Sequence, residues 1–359
     1  MIEFETYPKE EVWTSFVPDV IATTDTTGKI VFTIYCGGFP DGDVVFKNTM
    51  YAVGGKIVVT DLGEVLSTYM RSKTLRVASF TLKASEGSES GVSALASFTA
   101  CYCTRAMKLS VRAWASAFFL STFQTGTISP KESLRLTALC GKDETSCSIT
   151  AVGRTETGAI VQCTFPMAVT PQNVDGLQAV ELPLISTQTV HVQASTLSKL
   201  HSLLSFTVNF GARSVQMFVV DRPANSVTFR FANMFNVEER LTLRGVVKKT
   251  LELTRGEAIV NQSSRAYDIS GYRSYELTTV PMPEADAARV EQLVASWRVA
   301  DAAGRNLFFT STDFSYDTDN STLKTLTLQW RYAYRKIVDE TETPATSTIF
   351  TDPFTYQFS

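Results

Sequence analysis

The run from Val227 to Gly245 constrains this chain most, because its apolar side chains recur at every second position. Val227, Phe229 and Phe231 fall on one face of an extended segment, and Thr228 and Arg230 on the other. Leu241 and Leu243 are opposed in the same way by Thr242 and Arg244. A period of two is the signature of half-buried strands. Between the runs, Asn233 to Asn236 supplies the asparagines that tolerate turn geometry. The expectation is a hairpin with one apolar and one wet face.

That pattern extends along the chain. A length of 359 residues predicts two or three domains, because single cores stop growing below it. With 44% hydrophobic and 19% charged residues the composition is that of a globular protein. The 23 Phe and 12 Tyr favour pleated sheets. Residues 1–104 read as a first β-rich domain, with a helix at Leu62 to Tyr69 capped by Asp61. Residues 105–205 read as a second, with short runs at Leu134 to Cys140, Cys147 to Val152, Ile160 to Phe165, Gln178 to Leu182 and Val190 to Val192. The third, 206–340, holds the hairpin and a helix over 284–300 whose stripe is Ala285, Ala288, Leu293, Val294 and Trp297. Residues 341–359 form a C-terminal arm. Strand–helix–strand alternation is missing, so the predicted fold class is mostly β: two or three antiparallel, β-sandwich-like domains with one α-helix in the C-terminal region.

The same residues limit function. A net charge of −3 gives no electrostatic reason to bind nucleic acid or an anionic membrane. The N-terminal residues lack the cationic head and apolar core of a secretory signal, and no apolar run approaches the roughly 18 residues that span a bilayer. The six cysteines are therefore expected to be free thiols. The two histidines, His191 and His201, have no acidic or nucleophilic residue at motif spacing and read as ordinary strand-face or loop residues. The loop Tyr316 to Ser321 lacks the glycine and glutamate of a calcium loop. The glycosylation triplets at Asn261 and Asn320 carry no weight without a signal. Glu238-Glu239 is a carboxylate pair, but neighbours on a strand face opposite sides, and a solvated surface is the simpler reading. No catalytic residue, cofactor or metal is expected, and the chain reads as no enzyme.

The terminal aromatics differ in kind. Phe350, Phe354, Tyr356 and Phe358 are the interface candidates, as a strand that apolar docks on its own domain or on a neighbour. Two segments then suggest a family. The order Gly54 to Met70 resembles an early segment of virion structural proteins in phages and prophages of Bacteroidetes hosts. The run Phe229 to Glu239 is similar to their Phe-x-Asn-x-Phe-Gly-x-x-Glu segment, with Asn236 where glycine would stand. The helix followed by paired strands is similar in order to tail and baseplate modules. The resemblance implies a virion protein, made in the host cytoplasm, whose partners are copies of itself and other virion proteins. The alternative is an adhesin module built on β-sandwiches that binds a carbohydrate or host surface, and glycan hydrolysis by buried carboxylates is the third reading.

Overall fold

The computed structural model describes residues 1–359 apart from 26, 89, 92, 142–143, 145, 170–175, 223, 261–262, 312–322 and 334–359. The chain is mostly β, as its patterning predicts. The opening segment forms a five-stranded sheet in the order Val12–Trp13, Ser93–Cys101, Val77–Glu86, Lys29–Cys36, Asp43–Tyr51. A three-stranded sheet, Ile2–Thr6, Val20–Thr24 and Lys56–Val59, lies against it. Ile30, Phe32, Phe80 and Phe98 of one sheet share a core with Val20 and Ile57 of the other, and Leu66 of the helix Leu62–Ser72 closes it. Asp61 precedes that helix in a left-handed conformation and makes no side-chain cap, contrary to the reading from sequence.

A second five-stranded sheet runs Ile160–Met167, Cys147–Arg154, Ser202–Phe210, Arg213–Val219, Thr125–Ile128. Its strands Ser202–Phe210 and Arg213–Val219 fall largely in what the sequence suggests is the third domain, yet they pair with Cys147–Arg154 and each other. One reading changes here. Val190 and Val192 lie in the helix Thr187–Ser198, and the apolar run from Val111 is the helix Val111–Ala117, capped by the Ser110 side chain. Both are apolar stretches too short for period alone to separate strand from helix.

The hairpin expected between Val227 and Gly245 is present and belongs to a closed six-stranded antiparallel barrel. Ser226–Ala232 pairs with Glu238–Val260 from Ser226↔Arg244 to Ala232↔Glu238. Phe229, Phe231, Leu241 and Leu243 fill the barrel with Leu277, Leu328 and Trp330. Outside, Thr228 is buried rather than wet, bonded to the Thr242 hydroxyl at 2.8 Å. At Gly245 the long strand changes partner, and an added Cβ there would collide with the Thr278 carbonyl. The helix Glu284–Val294 is shorter than its pattern predicts and buries Ala287, Val290 and Leu293. Trp297 is left 43% exposed, because the chain must turn to begin Val299–Asp301, the strand that closes the barrel on Phe231.

Candidate assembly surfaces

The turn of the hairpin ties the barrel to the rest of the molecule. Phe235 at its tip is fully buried among Trp13 of the first sheet, Val111 and Ala115 of the 111–117 helix, and Leu139. Asn233 organises the turn: its Oδ1 accepts from the Phe235 and Val237 amides, and its Nδ2 donates to the Leu120 carbonyl and to Glu239. Asn236 adopts φ +60°, the region that favours glycine or asparagine, and its Nδ2 donates to the Leu75 carbonyl. Asparagine tolerates this backbone and adds a bond that glycine could not make.

Beside this turn a cleft of about 490 Å³ separates the second sheet from the barrel. One wall is Thr125–Ile128, an edge strand whose only partner strand among the described residues is Arg213–Val219. The other is the start of Glu238–Val260, with Pro281, Pro283 and the 284–294 helix. Glu238 and Glu239 do face opposite sides, but neither belongs to a solvated surface. Glu239 is 5% exposed and accepts from the Thr122 amide and hydroxyl, both at 2.6 Å, and from Asn233. The expectation failed because a strand face that would meet water in an isolated hairpin meets Thr122, in the loop that leads into the strand Thr125–Ile128.

Glu238 takes a two-oxygen contact from Arg230 at 2.8 Å. Burial acts to raise its carboxyl, but the Arg230 hydrogen bonds and charge, with Arg135 and Arg298 nearby, hold it below the usual carboxylate range. Burial and the charge of Arg230 depress Arg240, its cross-strand partner, and burial depresses Arg289, whose guanidinium lies 4.6 Å from the Phe123 ring centroid.

The second surface is a ribbon. The strands Glu238–Val260 and Ser263–Thr279 pair from Gly245↔Thr279 to Val260↔Ser263, but the barrel strand Thr327–Tyr332 accompanies them only as far as Ser274↔Arg331. From Leu251↔Arg273 outward the two strands have only each other among the described residues. At roughly 3.4 Å per residue, positions 251–260 extend about 30 Å. Apolar side chains are exposed at its base: Val246 at 72%, Leu251 at 49%, Leu253 at 41%.

Other sequence candidates stay apart. His191 stands on the 187–198 helix rather than on a strand face, near the His201 carbonyl and the Ser195 hydroxyl. All six cysteines are free, and burial pushes the Cys103 and Cys147 thiols up to about 11. Among the described residues no three metal-ligating side chains gather, and no helix is long and apolar enough to cross a membrane. Tyr275 and Trp330 stack on one another at 5.5 Å and 16°, not side by side in one plane as a sugar platform would be, and both are buried in the barrel. Phe350, Phe354, Tyr356 and Phe358 lie outside the described residues, as does the loop 316–321.

No protein-family model and no curated protein matches the chain. Among solved structures, the teleost fish polymeric Ig receptor ectodomain is similar at 6% identity and TM-score 0.19, covering 62% of this chain and all of that one. A tetra-tandem repeat in the extending region of a large adhesion protein is similar at 11% identity and TM-score 0.22, covering 77% of this chain and 69% of that one. Likenesses this distant carry no argument about function.

Proposed function

We propose that this chain is a structural protein of a phage or prophage virion, a tail or baseplate component that works by packing against copies of itself and against other virion proteins. The ribbon is the observation that supports this reading. A two-stranded hairpin is marginal in water unless it packs on something, and residues 251–260 extend past the last barrel strand. Exposed strand edges with apolar side chains are templates for pairing, which monomeric proteins blunt with charge or cover. Val246 and Val247, on opposite faces, are both exposed, so each face of the ribbon base presents apolar surface to a neighbour.

The cleft supports packing over catalysis. Three of the four carboxylates that line it are already engaged, Glu239 by Thr122 and Asn233, Glu238 by Arg230, and Glu132 by Arg222 and the Ser129 amide, which leaves Asp286 without a second carboxyl to act as its acid or base partner. General acid–base chemistry needs a carboxyl that can exchange its proton with substrate, and hydrogen bonds to the anion oppose that. Native mass spectrometry of the full chain across a concentration series tests the reading. A closed assembly of fixed copy number is expected, and a monomer at every concentration would contradict it.

A further inference from the structure

The exposed mouth of the cleft is mostly basic. Arg135, Arg240, Arg244 and Arg289 line the cleft. Four carboxylates line it too, but Glu239 is buried, Glu132 and Glu238 are half-buried and paired with Arg222 and Arg230, and Asp286 alone of the four is exposed. Arg135, Arg240 and Arg244 are exposed at the mouth. Arg230 and Arg240 sit directly across from one another in the barrel, where like charges repel. Deeper in, Phe123, Met217, Leu241 and Met282 supply apolar surface, and the open edge of Thr125–Ile128 runs along one wall. A basic rim, an apolar floor and a free strand edge suit an extended peptide that carries acids and aromatics.

This chain contains such a peptide. Residues 339–358 include Asp339, Glu340, Glu342 and Asp352, no lysine or arginine, and the aromatics Phe350, Phe354, Tyr356 and Phe358. We infer that the cleft is the dock for residues 339–358, its rim arginines meeting the acids while the segment lies along the 125–128 edge. That the segment comes from a neighbouring copy rests on the assembly reading. The dock itself rests on charge and shape alone.

Hydrogen–deuterium exchange on the full chain tests this. In the unmodified protein the amides of 339–358 should exchange at least about ten-fold more slowly than in a free peptide of the same sequence. The double substitution Arg135→Glu/Arg240→Glu, at exposed positions, should remove that protection while the first sheet keeps its own. Adding Asp339→Arg and Glu340→Arg should restore it, since the charges are then exchanged across the contact. Should the arginine variant fail to fold, Asp339→Lys/Glu340→Lys/Glu342→Lys in the otherwise native chain should remove the protection equally. Free-peptide exchange in the unmodified protein, or protection indifferent to these reversals, overturns the dock. Native mass taken in parallel separates the two readings. Assembly with an unprotected tail leaves the assembly reading standing and ends the dock, whereas protection in a strict monomer does the reverse.

Discussion

The ring of Phe235 lies 5.2 Å from that of Trp114 and 5.6 Å from that of Trp13, so one turn of the barrel is held by the 111–117 helix and by a strand of the first sheet. The contact is completed by two hydrogen bonds to main-chain carbonyls of the turn, from the Thr104 amide to Met234 and from the Arg76 side-chain Nε to Asn236. Removing a fully buried phenyl ring leaves a cavity that typically costs about 3–5 kcal/mol. Phe235→Ala should lower the urea midpoint by a corresponding amount. Phe235→Leu, which keeps most of the volume, should cost less than half as much.

Asn236 separates backbone strain from hydrogen bonding. At φ +60° a residue with Cβ is disfavoured by about 1–2 kcal/mol, a penalty that asparagine offsets locally and also through the Leu75 carbonyl. Asn236→Ala should destabilise by about 1–2 kcal/mol in thermal unfolding. Asn236→Gly should stay within about 1 kcal/mol of the parent, because relief of strain balances the lost bond and the added freedom of the unfolded chain.

Glu239 is a buried acceptor for three donors, two of them on Thr122. Glutamine at this position would turn an NH2 group toward one of those donors. Glu239→Gln should therefore cost about 2–3 kcal/mol, more than a surface substitution would, although side-chain volume is preserved. Chemical denaturation of the variant beside Thr122→Val measures it. The two losses should be clearly non-additive, since they break the same contact.

The depressed carboxyls of Glu238 and Asp301 predict a particular acid response. Burial opposes ionisation of both, but the hydrogen bonds and charge of Arg230 outweigh it at Glu238, and those of Arg305, with the Tyr332 hydroxyl, at Asp301. A group whose folded value lies below its unfolded value stabilises the fold above the unfolded value and loses that contribution as pH falls through the folded one. Stability should accordingly decline below the ordinary glutamate value of 4.5, and Glu238→Gln should flatten part of that decline. Urea midpoints between neutral pH and about pH 3 read this directly.

Much of the fold is legible in the sequence wherever one periodicity dominates. Phe229, Phe231, Leu241 and Leu243 announce the barrel hairpin, and Leu328 and Trp330 announce the strand that packs against it. The helix from Leu62 is equally plain. Val190 and Val192 read as a strand yet lie in a helix, because a buried helical face and a short strand look alike over so few residues. The stripe predicted through Ala285 and Trp297 falls instead on Ala287, Val290 and Leu293, since the helix ends where the chain must close the barrel. The candidate cleft is not legible at all. Glu238 and Glu239 are visible as a pair, but what each meets, Arg230 across a strand and Thr122 from a distant loop, is set by tertiary contact and leaves no local trace.

The ribbon decides whether assembly is what this architecture serves. Leu251→Lys/Leu253→Lys places charge on an exposed hairpin without touching the barrel core, so folding should be unaffected. Sedimentation velocity of this variant beside the parent is the direct measurement. The parent should sediment as a discrete oligomer and the variant as a folded monomer. A parent and a variant that sediment alike, at any shared mass, would contradict a role for the ribbon in joining subunits.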